Sequence, residues 1–204
     1  MTAEIGACYA CVDFMEAMLA QIIALAMSDY KQFKLVVARL LGYIDPRQPF
    51  GTALFDAFAR ITVSVAIEGF ALRRNSVTEE LDVFLRRRAL DDTAYPGEWH
   101  APGTILRPGE TYNNAFDRLA GEFGTSVLSY LLCDNLNWPQ EARGHVLSII
   151  FLVDLIDDPR KDETHCWFSV DRLPQPMVDS HEHHMLPMAI KAFEDRKRQQ
   201  KGDL

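Results

Sequence analysis

One segment of this chain, which begins PGET and ends EFGT, carries residues whose types and spacing could support chemistry. Glu110 directly precedes Thr111, a residue type that often caps the start of a helix. A helix from Thr111 to about Phe123 would carry Arg118 and Glu122 four residues apart, and therefore on one face. Carboxylate oxygens are the ligands that hard cations prefer. A glutamate at a helix start and a surface ion pair between Arg118 and Glu122 would be ordinary structural features.

The surroundings of this segment resemble the Nudix box, a pattern written GX5EX7REUXEEXGU, in which U is a bulky aliphatic residue. An aromatic residue and a Pro-Gly pair usually precede the box. The residues that fall at matching positions are Trp99, Pro102, Gly103, Pro108, Gly109, Glu110, Thr111, Ala115 and Arg118. Further along the chain, the letters WFS followed by DRLP match a common ending of the family. The resemblance covers residues 59–195, with a degenerate box at residues 104–125.

The match fails at the acidic positions of the box. Counting forward from Glu110 assigns the three acid positions to Leu119, Glu122 and Phe123. Counting back from Gly124 as the closing glycine, with a one-residue deletion, assigns them to Arg118, Gly121 and Glu122. Either register leaves one carboxylate on the helix, and one carboxylate is a poor site for magnesium.

The resemblance implies a specific set of site residues. Nudix enzymes cleave a diphosphate linked to another moiety, using divalent metals that bridge phosphate oxygens and activate water. By this resemblance, magnesium would be bound by Glu110 and Glu122, with Glu163 as a third catalytic residue. Glu163 lies in a loop where some members place a base or ligand, but it also belongs to a charge run of a kind that is usually solvated. The residues that would bind the substrate are Arg86, Arg88 and Arg118. Arg86 or Arg88 would contact phosphate, and the arginine at the position of Arg118 orients the acids in the family.

Two classes of function follow from the same residues. The first is a magnesium-dependent hydrolase of a nucleoside diphosphate linked to another moiety. The second is a Nudix-fold protein that is weak or inactive as a pyrophosphohydrolase and binds a nucleotide-type ligand or a protein partner. We favour the second, because apolar residues at the acid positions indicate that this face packs against something.

Composition limits the remaining classes. The chain has 204 residues, 48% of them hydrophobic and 25% charged, which is typical of a globular protein with a full core. A net charge of -8 argues against a general nucleic-acid surface, although a small phosphate ligand would need only a local basic patch. Four cysteines do not form a disulfide framework at this length. Without a recognisable signal peptide, we expect a cytoplasmic protein with reduced thiols.

Two short motifs have less specific explanations. Cys8 and Cys11 have CxxC spacing, but they fall at the start of an apolar helix and have no partner pair, so we interpret them as core thiols. The run His181-Glu182-His183-His184 would need further converging ligands to hold a transition metal. It precedes Pro187 in what the sequence predicts to be a loop.

The first 58 residues are predicted to form a helical extension before a domain at 59–204. Apolar residues recur at helical spacing over 8–27 and 29–41, with a break and an N-cap at Ser28-Asp29. Asp13, Glu16 and Gln21 interrupt the first apolar stretch, so we do not expect a membrane span. A helical pair cannot bury its apolar stripes alone. It should therefore pack on the following domain or form a homodimer with a second copy.

The domain that follows shows alternating strand and helix patterns. Apolar runs predict strands at 61–71, 81–87, 145–155 and 165–170, and helices at 111–123 and 187–199. In the predicted 111–123 helix, Ala115, Leu119 and Phe123 should face the sheet, since they are spaced i, i+4 and i+8. With the resemblance, this order predicts an α/β (α+β) fold: a Nudix-like α/β/α sandwich with a mixed sheet, preceded by the helical pair.

Overall fold

The computed structural model of the protein describes residues 9–159 and 161–202. The chain forms two compact units, the first ending at Gln48 and the second beginning at Pro49. Cys8 and the side chain of Cys11, to which the CxxC interpretation applies, lie outside the described residues.

The first unit contains the predicted helical pair, α1 (Tyr9–Ser28) and α2 (Tyr30–Leu41). The side chain of Asp29 accepts a hydrogen bond from the main-chain N–H of Gln32 at 3.0 Å, so the predicted break and N-cap are confirmed. The large apolar side chains of this unit that are exposed include Phe14, Met15, Met18, Leu19, Ile23 and Met27. Among the described residues, no helix combines the length and apolar character needed to cross a bilayer.

Over its described residues, the second unit contains one sheet and three α-helices. Its elements in chain order are α3 (Thr52–Ala59), β1 (Val63–Arg74), β2 (Leu81–Arg87), β3 (Trp99–His100), β4 (Gly103–Ile105), α4 (Tyr112–Phe123), β5 (Val127–Glu141), β6 (Gly144–Leu155), β7 (His165–Ser169) and α5 (Leu186–Gly202).

The sheet is mixed, as predicted. Its strands follow the order β3-β2-β1-β6-β5, with β4 paired to β1 and β7 paired to β2. The central pair, β1 and β6, is parallel, and the other pairings are antiparallel. The predicted fold class is therefore confirmed.

Alternation along β1 divides the interior into two cores. Phe70 and Leu72 belong to the core that α5 covers, whereas Ile67 and Ala71 belong to the core that α4 covers. This is the two-residue period of a strand that is buried on both faces. Gly69 points to the α4 side, where a Cβ atom would lie 3.0 Å from Leu119 Cδ2, so the helix approaches the strand closely at this position.

Helix α4 begins and ends at the predicted residues. Thr111 and Asn114 form a reciprocal capping box at its start, and Gly124 ends it with φ of 70°. Ala115, Leu119 and Phe123 are completely buried against the sheet. The predicted packing face of this helix is confirmed.

Several elements differ from the sequence-based prediction. Strand β5, at the edge of the sheet, was not predicted, nor was α3. The HEHH run is not a loop: His181–Met185 forms a single π-helical turn that continues directly into α5. This turn buries His181 while leaving His183 and His184 exposed.

Candidate functional site

The box glutamate and arginine form a closed pair in the structure. Both oxygens of Glu110 accept from Arg118, at 2.7 Å each, and Oε2 also accepts from the main-chain N–H of Arg107 at 2.8 Å. Arg118 donates further bonds to the Thr104 hydroxyl at 2.6 Å and to the Ile105 carbonyl at 2.8 Å. The hydrogen bond from Arg118 is the main cause that lowers the pKa of Glu110.

The predicted ion pair between Arg118 and Glu122 does not form. Glu122 instead accepts from Arg86 at the end of β2. The i, i+4 spacing on α4 was therefore a poor guide, because the sheet offers each side chain a different partner. Arg118 turns toward the loop before the helix and Glu122 turns toward the sheet.

The remaining acid positions carry no accessible carboxylate. Leu119 and Phe123 are buried. The burial of Leu119 suits the bulky aliphatic position that the count back from Gly124 assigns to it. The Arg118–Glu110 pair suits the count forward from Glu110. The helix thus satisfies part of each register.

These residues do not fit a magnesium site. The two predicted ligands, Glu110 and Glu122, are each held by a different arginine. Over residues 9–159 and 161–202, no group of three or more His, Cys, Asp or Glu side chains converges to hold a metal ion. Magnesium requires near-octahedral oxygen coordination and gives up water reluctantly.

The other predicted site residues are dispersed. Glu163 is exposed in the turn before β7. Arg87 donates to the Gly97 carbonyl at 2.8 Å. Arg88 pairs with Asp92 at 3.0 Å and lines a cavity on the opposite side of the sheet from α4. The three arginines predicted to bind the substrate, Arg86, Arg88 and Arg118, each have a carboxylate partner.

The cavity that Arg88 reaches has a volume of about 330 Å³ and lies within the second unit. Its walls come from α3, β1, the β3–β4 segment, the β5–β6 hairpin and the turn before α5. The polar residues that line it are Ser64, Glu68, Arg88, Tyr95, His100, Thr104, Glu141, Arg143, Ser148, Ser180 and His181. Six of these residues are buried: Ser64, Glu68, His100, Ser148, Ser180 and His181. This group of buried polar residues was not predicted from the sequence.

Glu68 is one of the buried residues of this lining. It belongs to β1 and faces α5, with a residue exposure of only 8%. In the β1–β4 register it lies opposite Gly103, where an added Cβ atom would be 2.1 Å from its Oε2. Burial raises the pKa of Glu68 to about 7, opposed by the nearby charge of Arg88.

Two buried histidines accompany Glu68. The main-chain N–H of Ala101 donates to Nδ1 of His181 at 3.3 Å, and Nε2 of His181 lies 3.9 Å from Glu68 Oε2. The rings of His100 and His181 meet edge to face with centroids 5.7 Å apart. Burial lowers the pKa of His181 to about 3 and that of His100 well below its ordinary value, so both rings are neutral.

Two arginines that line the cavity, Arg88 and Arg143, belong to an ion-pair network. Arg143 lies 2.8 Å from Asp92 and 3.5 Å from Asp56, while Arg88 also pairs with Asp92. Burial works against ionisation of Asp92, but hydrogen bonds from two main-chain amides and from Arg88 hold its pKa well below the ordinary value. Tyr95 donates its hydroxyl to Glu141.

One sequence signal could have indicated this site. The run ITVSVAIEGFA is apolar except for small hydroxyl residues and Glu68. A charge inside a strand buried on both faces is costly unless it is paired or has a function. His100 and His181 gave no comparable signal, because their proximity to Glu68 depends on the β1–β4 register and on the turn before α5.

Solved structures with a similar fold include Nudix proteins. A mutT/nudix family protein from Listeria innocua matches with a TM-score of 0.55 at 17% identity, covering 69% of this chain and 98% of that chain. NrtR from Shewanella oneidensis matches with a TM-score of 0.54 at 14% identity, covering 65% of this chain and 63% of that chain. The NUDIX domain of the same protein, complexed with ADP ribose, matches with a TM-score of 0.51 at 16% identity, covering 78% of this chain and 97% of that chain.

These likenesses establish the fold. No protein-family model and no curated protein matches the sequence. The chain therefore has a Nudix fold, as the residues around Glu110 predicted. It matches only 63% of the length of NrtR.

Proposed function

We propose that this Nudix-fold protein binds a nucleotide-type ligand and does not carry out metal-dependent pyrophosphate hydrolysis at an enzymatic rate. One observation carries the proposal: the carboxylates that the resemblance assigns to magnesium are each held by an arginine. Glu110 is held by Arg118 and Glu122 by Arg86. The helix offers apolar, buried side chains at two further acid positions of the forward count.

The expected effect on catalysis is large. Binding magnesium would require both carboxylates to leave their arginines, and removing one partner from a half-buried pair leaves an uncompensated charge. A catalytic metal contributes several kcal/mol of transition-state stabilisation. Because each 1.36 kcal/mol is about tenfold in rate, turnover should be orders of magnitude below that of a typical enzyme.

The ligand-binding part of the proposal is supported by the cavity that contains Glu68. Its volume of about 330 Å³ is in the range of small-molecule sites. Its walls combine apolar side chains with eleven polar residues, six of which are buried. A Nudix domain of the same fold is complexed with ADP ribose, so this fold can hold a nucleotide-type ligand.

The test is a phosphate-release panel of nucleoside di- and triphosphates, nucleotide sugars and ADP-ribose, with magnesium and with manganese. Thermal unfolding of the same mixtures reports binding. We expect stabilisation by at least one compound without turnover. Turnover of about one per second that disappears in Glu110→Gln or Glu122→Gln, but not in the exposed-loop control Asp91→Asn, would restore the hydrolase.

We also infer that the N-terminal helices form a homodimer contact. The support is the set of exposed apolar side chains on α1, which includes Met18 and Ile23. Such side chains gain stability when a second copy covers them. Light scattering of the full chain should give twice the monomer mass, and the double variant Met18→Glu/Ile23→Glu should give the monomer mass. A monomeric parent protein would reject this inference.

A further inference from the structure

The cavity contains an acceptor and a donor that the protein itself does not satisfy. Across the described residues, no donor lies within hydrogen-bonding distance of the Glu68 carboxylate. The imidazole of His181 lies beside it, but its Nε2 is 3.9 Å from Glu68 Oε2, which is too far for a hydrogen bond. Buried polar groups are normally paired. A carboxylate on a buried residue that faces a cavity without a protein partner therefore indicates a ligand that supplies the missing partner.

The backbone holds this carboxylate in place. Glu68 is fixed by its position in β1, between parallel β6 and antiparallel β4. Gly103 on β4 provides the space, because any larger residue there would collide with Glu68 Oε2. The carboxylate is therefore presented by rigid strands rather than by a mobile loop.

The proton of His181 can be assigned from its other contact. Nδ1 accepts from the Ala101 N–H, so the neutral ring must carry its proton on Nε2. This N–H points to the same part of the cavity as Glu68. The cavity therefore presents a hydrogen-bond acceptor, the Glu68 carboxylate, beside a donor, the Nε2–H of His181.

The charges around the cavity argue against an anion at this point. Arg88 and Arg143 are matched by Asp92 and Asp56. Glu68 has no cationic partner within salt-bridge distance among the described residues. A phosphate would have to approach this carboxylate, whereas a group with N–H donors would satisfy it. A simple cation would satisfy Glu68 but would leave the His181 N–H facing a positive charge.

We propose that the cavity recognises the hydrogen-bonding edge of a nitrogen heterocycle, with an N–H of the ring system donating to Glu68 and an adjacent ring acceptor receiving the N–H of His181. This inference rests on the proposed nucleotide-type ligand and names its base as the part inside the cavity. Two kinds of nucleobase edge present this pattern. One has a ring N–H beside a C=O group, and the other has an amino group beside a ring nitrogen. Phosphates would lie outside, away from Glu68.

The first test uses the full-length protein and nucleosides without phosphates, in pairs that differ by one donor. Adenosine is compared with purine riboside, and inosine with 1-methylinosine, by calorimetry. A hydrogen bond to a charged group contributes about 1.5–3 kcal/mol, so the analogue without the donor should bind about tenfold to a hundredfold more weakly. Equal affinities within both pairs would overturn the proposal, as would the absence of binding by all four compounds.

The second test changes the protein. Glu68→Leu removes both acceptor oxygens without leaving a buried charge, and it should weaken the donor-bearing nucleoside about tenfold to a hundredfold. It should also remove the difference between adenosine and purine riboside. His183→Gln and Glu182→Gln, in the same run as His181 but outside the cavity, are the matched controls. Glu68→Leu that retains the difference would overturn the proposal.

The two proposals can fail separately. If nucleoside diphosphates stabilise the protein but donor deletion and Glu68→Leu change nothing, the nucleotide-binding function stands and the role of Glu68 falls. If donor deletion and Glu68→Leu act as expected but rapid magnesium-dependent hydrolysis is found, the recognition site stands and the inactive box is rejected.

Discussion

The two faces of the sheet in the second unit treat their polar groups in opposite ways. On the α4 face, Glu110 and Glu122 are each closed in a pair with an arginine, and the rest of the interface is apolar. On the α5 face, Glu68 and the Nε2 proton of His181 are buried beside a cavity without a protein partner. The face that resembles a catalytic site is chemically satisfied, and the face without a motif is not.

This difference indicates which face has polar groups that a ligand could bind without first breaking an ion pair. A paired carboxylate contributes to stability, and a ligand must break the pair to reach it. An unpaired buried carboxylate lowers stability, and a ligand relieves that cost. By this criterion, the α4 face is structural and the α5 face is the candidate for binding.

The first prediction, which has the largest expected effect, tests the contrast between the two faces by restoring an acid on the α4 face. Leu119→Glu would place a carboxylate in a completely buried position against Gly69. Loss of a buried leucine costs about 3–5 kcal/mol, and burial of a polar group adds to this. We expect a loss of about 5 kcal/mol in the free energy of unfolding, measured with urea.

Leu119→Met is the matched control, since a swap that conserves volume costs under about 1.5 kcal/mol. A Leu119→Glu variant that stays folded and gains magnesium-dependent turnover would show that the α4 face is a dormant site rather than a packed one.

The second prediction concerns the cost of Glu68 on the α5 face. Folding raises the pKa of Glu68 from 4.5 to about 7, so its favourable, protonated state is fully present below pH 4.5 and is lost as the pH rises through 7. At 1.36 kcal/mol per pKa unit, the ionised side chain costs about 3 kcal/mol at pH 8. Glu68→Gln should therefore be more stable than the parent protein by up to this amount at pH 8, with the gain shrinking toward pH 5.

The groups that face Glu68 are Arg88, Glu141, His100 and His181. Burial lowers the pKa of His181 to about 3 and that of His100 well below its ordinary value, so neither histidine gains a proton as the pH rises through 7. The change should therefore report Glu68 itself. Urea unfolding at several pH values measures it, and a variant that is less stable than the parent at pH 8 would show that Glu68 has a partner in the protein.

The elements around α4 could be predicted from the sequence because their signals are local. Thr111 marks the start of the helix, and the spacing of Ala115, Leu119 and Phe123 marks its buried face. Strand β5 was missed because an edge strand with mixed exposure has no clear period, and its pairing with β6 is what makes it a strand.

The partners within the site could not be predicted, because they are set by tertiary contacts. Arg118 had Glu122 one turn away on the helix, yet it pairs with Glu110 in the preceding loop. Glu68 and His181 are far apart in the sequence and meet through strand register and a π-helical turn. Only the isolated charge of Glu68 in an apolar strand was visible in advance.

The third prediction concerns the close contact between β1 and β4, where Glu68 lies opposite Gly103. Gly103→Ala would place a methyl group 2.1 Å from Glu68 Oε2. Overpacking of this kind costs about 1–3 kcal/mol. We expect a loss of about 2 kcal/mol in the parent background and a smaller loss when Glu68→Ala is also present. A double-mutant cycle measures the coupling between the two positions, and purely additive losses would place the strain elsewhere.

The last prediction tests whether Glu110 is structural. It accepts three hydrogen bonds, two from Arg118 and one from the Arg107 main chain. Glu110→Gln should lower stability at pH 7 by about 1.5 kcal/mol, at the lower end for hydrogen bonds to a charged group because the pair is partly exposed. Folding lowers the pKa of Glu110, so this stability is present above pH 4.5 and is lost as the pH falls below it. The difference between the parent and the variant should therefore disappear in acid.

Magnesium separates this role from that of a metal ligand. If Glu110 bound the ion, added magnesium would stabilise the parent by RT ln(1 + [L]/Kd), where [L] is the magnesium concentration, and would stabilise Glu110→Gln less. If Glu110 serves only to hold Arg118 against Thr104 and Ile105, magnesium at about 10 mM should leave the difference in stability between the parent and Glu110→Gln unchanged. Unfolding curves of both proteins, with and without magnesium at pH 7, decide between the two. A magnesium-dependent widening of the difference would mean that the α4 face still competes for the metal despite its arginine, and the contrast between the two faces would then be one of degree.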